Sequence, residues 1–399
     1  MTTTGHLHQL TPDDLESIAA EFDALREEIR AGLGERDAAY IGRLIAAQRG
    51  LEAGGRGLLL LSRFSPALLG GTVLLTVAKI LENMEIGHNV MHGQWDWMGD
   101  PQINSMVWEW DAVSTARSWK HAHNYQHHTY TNVVGKDRDL GYSAMRVDPA
   151  QPWHPVYLAQ PIYGILLAMG FEWGIAIYDM ELDAVRRGDK SRADARAEVM
   201  AFARKAARQL TKDYVAFPLL SGRSARRTLL ANLVATIVRN VWVHTIVFMG
   251  HIPDGAVTFT DQQLENESRG GWYVRQLLGS CNLEGRSFFH LMTGNLSFQI
   301  EHHLFPDLPS NRYAEIAPRV RAVCERYGLP YSSGRLGRQY LSVARKVLRL
   351  SFPGGKPKVG SAPVERAQPR ALEPAAAQRR HRPSTAEEGF RSIVAFAPH

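Results

Sequence analysis

Cysteine is nearly missing. The 399 residues hold two, Cys281 and Cys324. A disulfide framework, a cysteine-built zinc site and an iron–sulfur cluster all need more, so the count excludes them. Both thiols read as reduced, facing a reducing compartment. No lysine-rich run interleaved with aromatics occurs, so the net charge of +6 points to a membrane surface and not to nucleic acid. The opening residues are polar and acidic, which predicts no secretory signal. A Gly-x-Gly-x-x-Gly dinucleotide loop and a His-Glu-x-x-His zinc motif are both absent from the sequence. Mean hydropathy is only −0.24, an average lowered by polar ends that flank apolar stretches.

Those stretches organise the middle of the chain. Thr11-Pro12-Asp13-Asp14 is a helix start, with a capping hydroxyl, proline in the first turn and acids against the dipole. Leu15, Ile18, Phe22, Leu25 and Ile29 then recur at spacings of three and four. They form the apolar stripe of a helix that packs on the protein or lies on a bilayer. Residues 57–82, 156–178 and 228–250 each approach the ~20 apolar residues that cross a bilayer. Residues 101–119 are rich in tryptophan but too polar to span, and predict a short re-entrant or interfacial segment. Taken alone, these runs also fit the core of a soluble helical protein. Residues 181–227 carry twelve Lys/Arg against six Asp/Glu. The positive-inside rule makes that loop cytoplasmic. Simple counting of spans disagrees, unless a half-span near Tyr214–Ser221 exists or one helix does not cross. From Pro353 on, the chain is rich in Pro, Ala, Arg and Gln and predicts disorder.

Histidine is in excess and clustered. Of sixteen, twelve lie between Met84 and Phe305. His88 and His92, in Gly87-His88-Asn89-Val90-Met91-His92, are four apart and share one helix face. His123 and His127 repeat that spacing, with His128 offset by about 100°. Gln299-Ile300-Glu301-His302-His303 holds an adjacent pair. Each cluster alone is weak, since histidine pairs are common on surfaces and in cores. Three in one chain predict a metal site. A zinc site takes three or four protein ligands, so seven imidazoles imply two ions. Imidazole suits Zn, Cu, Fe and Ni. The carboxylate-bridged di-iron bundle needs two Glu-x-x-His motifs. Only Glu85-Ile86-Gly87-His88 provides one, so a histidine-rich di-iron centre fits better.

HNVMH, HNYQHH and QIEHHLFP resemble the three histidine boxes of the membrane fatty acid desaturases, in their order and in the long gap before the third. The flanks ENMEIGHNVMHGQWDWMGDP, GHIPDG and GNLSFQIEHHLFPDLPSNRYAEI are similar to actinobacterial acyl-CoA desaturases of the stearoyl type. The resemblance covers roughly residues 10 to 350. It implies an all-α fold of integral membrane helices under a cytosolic, histidine-rich di-iron cap. The domains expected are amphipathic helices over 1–56, a membrane desaturase domain over 57–350 and a disordered tail over 351–399.

Carried over by position, the resemblance implies two iron ions held by His88, His92, His123, His127, His128, His302 and His303. A further histidine lies between the second and third boxes in this family. His251 and His244 are the candidates, and His251, at the end of its apolar run, is chosen. Gln299 stands where many relatives have histidine and is left out of the set. Asp137, Arg138 and Asp139 could orient ligands, bind the acyl carrier, or form a solvated turn. Trp95, Trp97, Trp108, Trp110 and Trp119 fit equally an acyl-tunnel wall or an interfacial belt. The implied reaction is oxygen-dependent desaturation of a fatty acyl-CoA or other fatty acyl chain in the cytoplasmic membrane, at carbon 9, with the metals on the cytoplasmic side. No haem-binding His-Pro-Gly-Gly occurs, since His154-Pro155 continues with Val-Tyr. Electrons must therefore come from a separate protein, an NAD(P)H-linked reductase or a ferredoxin-type donor. The competing readings are a hydroxylase or ketolase with the same boxes, a metal transporter and a haem-bearing electron carrier.

Overall fold

The computed structural model describes residues 10–354. His6, His8, His381, His399 and the tail expectation beyond residue 354 lie outside the described residues. Within them, helices dominate. The sheet has two parallel strands, β1 (Asn282–Glu284) and β2 (Ser333–Arg335), with Asn282 opposite Ser333.

Helix α1 (Pro12–Ala31) starts on a capping box. The Asp14 amide donates to Thr11 Oγ1, and the Thr11 amide donates to the Asp14 carboxylate, so two free donors at the helix start are satisfied. Its stripe Ile18, Phe22, Leu25 and Ile29 is buried against Tyr273, Phe305 and Val320. The stripe therefore serves a protein core and not a lipid surface.

Helices α2 (Glu35–Leu60) and α3 (Ser65–Met91) form an antiparallel hairpin. The domain boundary expected after residue 56 falls inside α2. The hairpin closes tightly because Gly55 meets Gly71: a Cβ on Gly55 would stand 2.9 Å from the Leu75 amide nitrogen. Helix α4 (residues 116–130) carries the second histidine cluster.

Residues 156–178 form a sharply bent helix pair and not one straight span. Helices α5 (Gln160–Met169) and α6 (Phe171–Asp179) belong to a pair bent by 93° at Gly170. Hydropathy cannot register such a bend. A helix end inside an apolar body leaves carbonyls that need partners, and the facing helix supplies them. Asn240 Nδ2 donates to the Met169 carbonyl at 2.9 Å. Arg239 Nη2 pairs with Glu172 Oε2 at 2.8 Å. Beyond α6 the chain is back at the second histidine cluster, where Gln126 Nε2 donates to Glu181 Oε1 at 2.6 Å. The basic loop therefore starts on the histidine side, which removes the conflict between its charge and the count of spans.

Helix α7 (Arg192–Leu210) runs on through Thr211–Ala216 and Phe217–Leu220. It packs beside α8 (Ala225–His251). Buried Asp213 joins these layers to the hairpin, 2.7 Å from Lys79 Nζ and 2.8 Å from Arg56 Nη2. Ser65–Met91 and Gly222–His251 are long and apolar enough to cross a membrane. Leu69, Ile162, Ile165, Leu220 and Leu230 stand exposed on this body. So much uncovered apolar surface is what a lipid-facing belt requires.

Helices α9 (Arg269–Leu278), α10 (Gln299–Leu304), α11 (Tyr313–Tyr327) and α12 (Leu336–Leu350) follow. Together with α1, helices α9 to α11 enclose a second core around Tyr273, Ile300, Phe305 and Ile316. The histidines lie on the seam between this cap and the apolar helices.

Candidate metal centre

Four elements bring the histidines to that seam. His88 and His92 end α3, His123, His127 and His128 lie on α4, His251 ends α8, and His302 and His303 sit on α10. Both i,i+4 boxes involve π-helix and not plain α-helix: residues 82–88 and 120–127 are π-helical. The wider turn is a common device at functional sites. His127 and His128, as the adjacent pair predicts, join different groups: His127 meets His251 and His303, and His128 meets His302 and His303. His92 and His128 have ring centroids 4.7 Å apart, and His128 stacks on His303 at 4.4 Å.

All eight histidines meet. The ligand atoms of His88, His92, His123 and His302 lie within 4.8 Å of one another, and so do those of His127, His251 and His303. His128 groups with His302 and His303, between the two sets. Asp139 forms a further group with His123 and His127.

The outer ring nitrogens have fixed acceptors. His123 Nδ1 donates to Asp139 at 3.1 Å and His127 Nδ1 to Asp137 at 3.0 Å. His251 Nδ1 donates to the Gly279 carbonyl at 3.2 Å. Asn89 gives its amide protons to two carbonyls, so its oxygen accepts from His88 Nδ1 at 2.9 Å. Gln276 likewise donates to the His128 carbonyl, so its oxygen accepts from His303 Nδ1 at 3.0 Å. The Tyr313 hydroxyl donates to the Phe305 carbonyl and accepts from His302 Nδ1 at 3.2 Å. Six rings are thereby locked with a bare Nε2 turned inward, the arrangement that orients metal-binding imidazoles.

This donor set fits metal ions. His88 Nε2 and His123 Nε2 stand 3.2 Å apart, and His251 Nε2 and His303 Nε2 3.0 Å apart. In each pair both atoms present lone pairs, which repel unless a cation lies between them. His92 Nε2, His302 Nε2 and both nitrogens of His128 are buried without a hydrogen-bond partner. Burial, reinforced by neighbouring imidazoles, holds His123, His128, His302 and His303 well below the ordinary histidine pKa. The neutral ring is the ligating form. At His127 burial also opposes charge, but Asp137 and Asp139 outweigh it and raise the value.

His244 stands apart, stacked on Phe248 at 4.0 Å and edge-on to Phe171. Exposed His121 pairs with Glu181, His154 accepts from the Val156 amide, and His290 bonds Ser297. The Gln299 side-chain amide reaches His251 Nε2 at 2.9 Å, while its Oε1 is buried without a partner. Gly250 makes that approach possible, since a Cβ there would stand 2.9 Å from the Gln299 side chain. Arg138 turns away to Glu181 and Asp183. Gln276, Tyr313 and the Gly279 carbonyl were not foreseen as orienting groups, and no local pattern marks them.

A cavity adjoins the cluster and touches His88, His123 and His251. Trp110 and Trp119 wall it, and Trp119 stacks on His123 at 4.6 Å. The segment carrying Trp110 is irregular and is tied down by α7. Lys212 pairs with Asp111 at 2.6 Å, and Lys205 with Glu109 and the Ser114 carbonyl. Trp95, in contrast, is core beside Tyr40.

Comparison with known proteins agrees with this architecture. The fatty acid desaturase profile matches residues 64–335. A Mycobacterium tuberculosis protein named NADPH-dependent stearoyl-CoA 9-desaturase is 49% identical over 86% of this chain and 82% of its own. The sn-1 linoleoyl-lipid 6-desaturase of Synechocystis is 26% identical over 67% of this chain and 75% of its own. Fatty acid desaturase 3 of Bos taurus is 24% identical over 79% and 69%. A chain matched by that profile through every histidine cluster, and this similar to a desaturase over most of its length, belongs to the fatty acid desaturase family.

Proposed function

We propose that the protein is an oxygen-dependent desaturase of long saturated acyl-CoA chains, placing a cis double bond at carbon 9. The observation that carries this reading is the convergence of bare imidazole nitrogens on the end of a cavity walled by tryptophan and apolar helices. The name of the Mycobacterium relative supports the substrate and the position.

His88, His92, His123 and His302 would hold one iron ion, and His127, His251 and His303 a second, with His128 beside both. When bound, the iron pair supplies dioxygen reduction and the oxidising strength to take hydrogen from an unactivated methylene. The remaining work belongs to the chain. Asp137, Asp139, Gly279, Gln276, Asn89 and Tyr313 keep the rings oriented, each with its Nε2 turned inward. Trp110 and Trp119 exclude water from the reacting carbons. Methylenes look alike, and burying one is worth only ~0.8 kcal/mol, about fourfold in discrimination. Position must therefore come from holding the chain at its ends. Arg192, Arg196, Arg204 and Arg208 stand exposed along α7, suited to the phosphates of CoA. Two electrons per turnover come from a separate NAD(P)H-linked reductase or ferredoxin-type protein. The metals face the cytoplasm, beside the basic loop.

His88, His92 and His251 sit at the ends of Ser65–Met91 and Gly222–His251, not midway along them as a transport path would need. The test is expression in a host that makes saturated fat, followed by double-bond mapping. A new alkene at carbon 9 is expected. Hydroxylated chains with no new alkene would overturn the reading.

A further inference from the structure

The cavity follows one face of α8 inward from the metal cluster. Its lining on that helix is His251, Val247, Val243, Asn240 and Arg239, and no earlier residue of α8 takes part. His251 stands twelve helical steps beyond Arg239, about 18 Å of helix. There the bent hairpin of α5 and α6 meets α8. Glu172, at the start of α6, pairs with Arg239 Nη2 at 2.8 Å, and Asn240 is tied to the Met169 carbonyl. Both Arg239 and Glu172 line the cavity. Arg239 is 2% exposed; its Nε and Nη2, and Glu172 Oε2, make no hydrogen bond among the described residues, so the pair is a contact of charges alone.

We infer that the Arg239–Glu172 ion pair is the floor of the acyl cavity and sets the longest chain the enzyme accepts. The inference rests on the desaturase reading above and deepens it. The methyl end of a chain of fitting length stops against the pair. A longer chain has to push a methyl group into a desolvated guanidinium and carboxylate, or separate two charges that have no water to return to. Either penalty falls on the far end of the substrate, so it changes which lengths are accepted without moving the double bond relative to the carboxyl end.

The test uses the full-length protein in membranes, with its electron donor, and compares stearoyl-CoA with saturated acyl-CoAs two carbons shorter and two and four carbons longer. Replacing both partners, Glu172→Met with Arg239→Met, leaves no lone buried charge. Its kcat/KM ratio for the longer chain over stearoyl-CoA should rise about tenfold or more, the scale of methylene discrimination in a pocket. Val243→Phe, about 6 Å nearer the metals, should do the opposite and favour the shorter chain. The mapped double bond should stay at the same carbon in every active variant. Activity changed by one common factor at all lengths would overturn the inference, showing the pair to be only a brace for the hairpin. If the double variant fails to fold, Val243→Phe decides alone: an unchanged length preference overturns the floor. A wild type that desaturates none of the chains would refute the desaturase reading itself, a separate outcome.

Discussion

His251 and His303 face each other with their Nε2 atoms 3.0 Å apart, and each ring has already given its other nitrogen's proton to a fixed acceptor, the Gly279 carbonyl and the Gln276 amide oxygen. Two lone pairs held that close define where a cation belongs. His251→Ala should therefore lose iron and activity together. His244→Ala, which removes a ring stacked on Phe248, should keep its iron. Metal analysis of the two purified variants checks this, and equal iron in both would contradict it.

The carboxylates behind the rings should matter nearly as much as the rings. Asp137→Asn keeps the shape but weakens the acceptor for His127 Nδ1. The expected loss is about 10–100-fold in iron affinity or activity. Iron retention during dialysis against a chelator measures the first, and turnover under saturating iron the second.

Asp213 predicts an acid response distant from the metals. Burial pushes its carboxyl up, but Lys79, Lys212 and Arg56 overcome that and hold it down to about 2. A carboxyl lowered on folding stabilises the protein fully above its unfolded value, near 3.8, and loses that contribution as pH falls toward 2. Asp213→Asn should cost about 3–5 kcal/mol near neutral pH, because it strands buried cations. The gap in Tm between wild type and variant should narrow as the pH drops below about 4. A gap that is constant with pH would contradict the assignment.

Gly250 should tolerate no side chain. Gly250→Ala would drive Gln299 from His251, at about 1–3 kcal/mol of overpacking. Activity should fall while helical content, read by circular dichroism, stays unchanged.

What the sequence disclosed was local. The α1 stripe is visible because Ile18, Phe22, Leu25 and Ile29 keep helical spacing, and the boxes because their histidines are close in the chain. The eight expected residues do come together in space. What stayed hidden depends on contacts between distant segments. The apolar run 156–178 averages over the bend at Gly170. Its sign lies on another helix, in Arg239 and Asn240, which read as mere polar interruptions until the hairpin tip is placed against them. The π-turns at the first two boxes leave the spacing of the letters unchanged. Gln276 and Tyr313 orient His303 and His302 from helices whose own pattern says only that they are amphipathic.

The central claim is that these imidazoles hold iron for the reaction. Elemental analysis of purified protein, paired with turnover on the same sample, tests it most directly. The account predicts two iron ions per chain and activity that rises and falls with iron content; full desaturase activity in protein free of iron would contradict it.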